Sequence, residues 1–70
     1  MNIILNGESY PLEKNFTVRE LLLKLEKEWS LNLTGAVVLV NDEIVKKDKW
    51  DEKKIPENSE IEVLSFVSGG

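Results

Sequence analysis

The order of strand-like and helix-like segments predicts an α+β domain, a mixed sheet of four to five strands with one main helix packed on one face. Three observations carry this expectation. Asn6-Gly7 divides two short apolar segments near the start of the chain, as in a tight hairpin. Thr17-Val18-Arg19-Glu20 opens the one run with helical apolar spacing. Ala36–Val40 and Glu60–Val67 are rich in β-branched and apolar residues and are bounded by turn-forming residues.

The elements follow in order. Ile3, Ile4 and Leu5 start the first strand, and Glu8 to Glu13 should return antiparallel after the Asn-Gly turn, with Tyr10 and Leu12 on one face. Pro11 has no N–H for a ladder and therefore assigns this second strand to an edge or a strand end. In the helix, the Thr17 hydroxyl is placed to accept from the Glu20 N–H, and the Glu20 carboxylate reaches back to the Thr17 N–H. Val18, Leu21, Leu22, Leu25 and Trp29 form its apolar stripe, Phe16 sits where a hydrophobic staple to Leu21 would close, and Glu20 is spaced to pair with Lys24. Ser30–Gly35 reads as a loop and Ala36–Val40 as a strand buried on much of both faces. Asn41-Asp42-Glu43 then turns the chain into a short Ile44-Val45 strand. Lys46–Pro56 is polar and irregular, with Trp50 anchoring it to the core, as Trp29 is expected to anchor the helix end. Glu57-Asn58-Ser59 makes the last turn, and the final strand is expected to run from Glu60 to Val67 beside the first. This order is that of the β-grasp, or ubiquitin-like, arrangement. Residues 1–67 are read as a single domain and 68–70 as a flexible tail.

Composition excludes much of chemistry. The 70 residues contain no Cys and no His, so there is no thiol nucleophile, no imidazole base, no disulfide and no usual zinc ligand set. Hydrophobic residues at 41% and charged residues at 31% fit a soluble globular chain, but one that buries only roughly 60% of its unfolded surface and has little room for a deep cleft. The net charge of −4 disfavours nucleic acid, and the cluster Lys46, Lys47, Lys49, Lys53 and Lys54 is broken by Asp48, Asp51 and Glu52, as a solvated loop would be. No apolar run is long enough to span a membrane and no leader is visible, so the expected location is the cytoplasm. Glu57, Glu60 and Glu62 have no partner base, and the serines have no His to activate them. No catalytic residue, no metal site and no bound cofactor is expected.

The end of the chain is different. Paired glycines at the last two positions arise by chance in about one chain in two hundred, with glycine near 7%, and here they follow almost directly on the final strand. Ser68-Gly69-Gly70 is narrow enough to thread a tunnel and deliver a carboxylate into another protein's active site. A carboxylate is a poor acyl donor, but ATP converts it to an acyl-adenylate from which a sulfur nucleophile displaces AMP. Along the last strand Ile61 and Val63 are expected to face the helix, leaving Glu62, Leu64 and Phe66 outward. Val37 and Leu39 extend that face if Val38 and Val40 point in.

Met1–Glu8, Thr17–Leu22, Val40–Val45, Trp50 and Phe66-Val67-Ser68-Gly69-Gly70 together resemble the ThiS-type sulfur carriers of thiamine biosynthesis, across essentially the whole chain. The resemblance implies adenylation of Gly70 by a ThiF-type, E1-like enzyme that uses ATP. It also implies sulfur loading from a persulfide donor to give a terminal thiocarboxylate, and delivery to a ThiG-type thiazole synthase. Gly70 would be the sulfur attachment point, Gly69 and Ser68 the threading tail, and Phe66, Leu64 and Val67 the partner interface of a carrier that is a monomer when alone. Two departures stand out: Glu57-Asn58-Ser59 replaces the family's frequent Asp-Gly-Asp, and Ser68 replaces a third glycine. The runners-up are the small subunit of molybdopterin synthase, another thiocarboxylate carrier, and a β-grasp interaction module with an inert tail.

Overall fold

The computed structural model describes residues 1–13 and 15–65. Strand β1 (Asn2–Leu5) and strand β2 (Glu8–Pro11) form an antiparallel hairpin whose register runs from Asn2 opposite Pro11 to Leu5 opposite Glu8. Asn6 at φ 50° and Gly7 at φ 85° supply the two positive dihedrals of its tight turn. Strand β2 is shorter than expected because β1 offers no strand partner beyond Asn2. Leu12 is instead fixed by its N–H donating to the Met1 carbonyl at 2.7 Å, and its side chain is buried. Pro11 does lie on a sheet edge, where its missing N–H does no harm.

Helix α1 (Val18–Trp29) starts with the reciprocal capping box: the Glu20 N–H donates to Thr17 Oγ1 at 3.2 Å, and the Thr17 N–H donates to Glu20 Oε1 at 2.9 Å. Two more N–H groups of the first turn would lack intrahelical partners. Val18 donates to the Lys53 carbonyl at 2.9 Å and Arg19 to the Trp50 carbonyl at 3.0 Å. The polar 46–56 segment, which contains a single 3₁₀ turn at Lys47–Lys49, therefore closes the start of the helix. Trp50 is buried beneath it and donates from Nε1 to the Val45 carbonyl at 3.0 Å, and Ile55 is buried as well.

Strands β3 (Val37–Val40) and β4 (Glu43–Val45) form a second hairpin, turned at Asn41 and Asp42, whose φ values are 51° and 70°. Strand β5 (Glu60–Leu64) lies between the two hairpins, parallel to β1 and antiparallel to β3, giving the five-stranded order β2-β1-β5-β3-β4. Ile3, Leu5, Val38, Val40, Ile61 and Val63 from the inner sheet face share the core with Val18, Leu21, Leu22 and Leu25 of the helix. One helix on a mixed sheet of this order is the β-grasp arrangement.

Four expectations need correction. Trp29 is 37% exposed rather than a core anchor, because it ends the helix and lines a surface groove with Ser9 and Tyr10. Lys24 pairs with Glu28 rather than Glu20, whose carboxylate is held by the cap. The 30–35 loop contributes Leu33 to the core, tied down by its N–H donating to the Glu26 carboxylate at 2.7 Å. Strand β5 ends at Leu64, where the pairing with β3 through Val37 stops, and Ser65 is outside it. The expected continuation through Phe66 and Val67 falls outside the described residues.

Candidate functional site

The site is built on β5 and the outer face of the sheet. Strand alternation buries Ile61 and Val63 and turns Glu60, Glu62 and Leu64 outward, with Leu64 44% exposed. Register brings neighbouring outward residues together: Ile4 beside Glu60, Leu39 between Glu62 and Ile44, and Val37 beside Leu64. Ile4 and Ile44 are exposed, and Val37 and Leu39 half-buried. The result is an apolar strip interrupted by Glu60 and Glu62. A shallow groove along it is lined by Ile4, Asn6, Asp42, Glu60, Glu62 and Leu64. Leu64, Val37 and Leu39 stand on this face, whereas Phe66, Val67, Ser68, Gly69 and Gly70 lie outside the described residues.

Ile4 and Ile44 were missed by the sequence reading. Alternation about the buried Ile3 and Leu5 marks Ile4 as outward, but that Ile44 joins the same strip depends on the β3–β4 register. Two asparagines flank β5. The Asn41 N–H donates to the Glu60 carbonyl at 2.7 Å while Asn41 Oδ1 accepts from the Glu60 N–H at 2.9 Å. Asn6 Oδ1 accepts from the Val63 N–H at 2.8 Å, and Asn6 Nδ2 donates to the Val63 carbonyl at 3.3 Å.

The basic 46–54 segment is solvent-exposed apart from Trp50. Arg19 stacks over Trp50 at 5.3 Å and bonds Asp51 at 3.1 Å, while Lys49 pairs with Glu52. On the opposite side, the Tyr10 hydroxyl donates to Glu28 at 2.6 Å, and Lys24 bridges Glu28 and the Tyr10 ring. Partial burial and the bond to Glu28 push the Tyr10 hydroxyl pKa up. The Lys24 ammonium holds the Glu28 carboxyl below its usual range, and Glu28 raises Lys24 in turn. This network ties the edge strand to the helix and faces away from the outer strip. Among the described residues no group of three or more Asp and Glu could hold a metal ion, and no helix is long and apolar enough to cross a membrane.

The fold and its central last strand define a β-grasp domain of the ubiquitin-like class. The sequence model of the ThiS family matches residues 3–70, and the chain belongs to that family. It is 26% identical over 70 residues to the sulfur carrier protein ThiS of Escherichia coli, covering the whole of both chains. It is also similar to the crystal structure of the thiamine biosynthesis protein ThiS from Geobacter metallireducens, with a TM-score of 0.83 and 25% identity over the whole of both chains. The solution structure of a thiamine biosynthesis protein from the same organism matches with a TM-score of 0.79 and 25% identity, over all of this chain and 88% of the other.

Proposed function

We propose that the protein is a sulfur carrier of thiamine biosynthesis whose working group is the Gly70 carboxylate. The observation that carries this reading is the family match through residue 70, which takes in Gly69 and Gly70. In the proposed sequence a ThiF-type adenylating enzyme joins the carboxylate to the AMP moiety of ATP with release of pyrophosphate. The outer sulfur of a persulfide then displaces AMP to give an acyl disulfide, with a C–S bond where a C–O bond was, and a thiol reductant cleaves the S–S bond to leave the terminal thiocarboxylate and a disulfide. The thiocarboxylate donates this sulfur to a ThiG-type synthase for thiazole formation.

The carrier is a cosubstrate in this scheme and needs no acid, base or metal of its own. The carrier's part is to present a narrow terminus, with Ser68 and Gly69 in the tunnel, beside a surface that enzymes can grip. The outward strip of Ile4, Val37, Leu39, Ile44 and Leu64 supports that second task. An apolar strip interrupted by Glu60 and Glu62 suits an apolar partner surface that carries cations within it.

Intact mass measured on protein from its own cells tests the proposal. The expected result is a shift equal to one oxygen exchanged for sulfur, localised to the terminal peptide and abolished by deletion of Gly70. An unmodified mass, unchanged after incubation with ATP, the adenylating enzyme and a sulfide source, overturns it in favour of a β-grasp interaction module.

A further inference from the structure

We infer that Asn6 is a positioning residue for the reactive terminus, because its carboxamide replaces two missing rungs of the β1–β5 ladder and holds the end of the strand from which the tail leaves. The parallel ladder is short, pairing only Ile4 with Glu60 and Leu5 with Ile61. The Asn6 N–H adds a bond to the Ile61 carbonyl at 2.8 Å, and there the chain turns away into β2. A longer β1 would next bond the N–H and the carbonyl of Val63, using backbone groups two residues apart. Asn6 supplies both bonds from one side chain, accepting at 2.8 Å and donating at 3.3 Å.

Turn preference alone does not account for this. The positive φ at residue 6 is met equally well by Gly or Asn, but only a carboxamide carries an acceptor and a donor spaced like a strand's own. Asn41 performs the matching task where β5 begins, bonding both polar groups of the Glu60 backbone. The two asparagines differ in what lies beyond: Glu60 follows a loop, whereas Val63 leads within seven residues to Gly70. Without Asn6, the end of β5 is held by β3 alone, and more of the chain must be ordered each time the tail enters an enzyme.

The inference rests on the proposed carrier function, and the test separates the two. Wild type, Asn6→Gly, Asn6→Asp and Asn41→Gly are compared by Val63 amide exchange and by pyrophosphate release from a ThiF-type adenylating enzyme at varied carrier concentration. Both glycine variants keep the turn dihedrals and are expected to lose similar stability. Asn6→Gly should speed Val63 exchange and raise KM for the carrier about three- to tenfold, with kcat within about twofold. Asn41→Gly should leave KM unchanged. Asn6→Asp, which keeps the acceptor and loses the donor, should fall between wild type and glycine. Unchanged Val63 exchange in Asn6→Gly, an unchanged KM in that variant, or an equal rise in KM for Asn41→Gly overturns the assignment of Asn6. Wild type that is never adenylated overturns the carrier function itself.

Discussion

Replacing Trp50 tests whether the polar 46–56 segment is held as described. Trp50 is 2% exposed, donates from Nε1 to the Val45 carbonyl at 3.0 Å, and lies under the Arg19 guanidinium at 5.3 Å. Its own carbonyl receives the Arg19 N–H in the first turn of the helix, so the residue joins the helix start to β4. Trp50→Phe keeps an aromatic face for Arg19 but removes the indole donor and part of the buried volume. The hydrogen bond is worth about 1 kcal/mol net and the lost volume about 1–2 kcal/mol, for a total of about 2–3 kcal/mol. A domain of this size has only about 4–10 kcal/mol in all. The variant should therefore remain folded at 25 °C, with Tm lower by about 8–24 °C. Trp50→Ala, at about 3–5 kcal/mol, should lower Tm further, by about 12–40 °C. Urea unfolding followed by far-UV circular dichroism provides the comparison, since removing an indole changes fluorescence directly. A loss below about 0.5 kcal/mol for Trp50→Phe, with an unchanged urea slope, would refute the buried anchor.

Two further predictions concern the surface. Leu64→Asp places a charge on the outer strip without touching the inner face, so Tm should change by only a few degrees while adenylation falls about tenfold or more. Unfolding of the variant would make Leu64 a structural residue, and unchanged adenylation would remove it from the interface. The Tyr10–Glu28–Lys24 network predicts a pH dependence with opposite signs at its two ends. Tyr10 and Lys24 are raised above 10.0 and 10.5, so their stabilising effect is complete below those values and is lost as pH climbs through the higher folded ones. Glu28 is lowered from 4.5, so its contribution is present above that value and lost as pH falls through the folded one. Tyr10→Phe should lose less Tm than wild type as pH rises above 10.0; equal alkaline slopes would rule out a contribution from the Tyr10 hydroxyl.

Elements that rest on local chemistry were legible in the sequence. Asn6-Gly7 and Asn41-Asp42 turn where expected because few residue types accept positive φ, and Thr17 and Glu20 form their box because four consecutive residues contain all its parts. Alternation gave the direction of every described β5 side chain. Other features depend on long-range packing. Ile55 sits among Lys and Pro with no periodicity around it, and is buried because its segment folds over the helix start. Leu33 is similar, isolated in a loop and fixed by Glu26. Trp29 has the right helical phase but stands one turn past Leu25, the last helical residue to be buried. The Asn6–Val63 bonds join positions 57 apart, a separation at which no local pattern can place a pair.

The position of β5 also has a consequence for biosynthesis. It is the central strand of the sheet, yet it is made after every other described element. On the ribosome the two hairpins and the helix emerge without the strand that joins them, and a lone hairpin is marginal in water. Cooperative folding of the domain therefore waits until β5 has emerged. A polypeptide truncated before Glu60 lacks the strand that joins the two hairpins. Completion of the fold thus doubles as a check that the domain has been translated through β5.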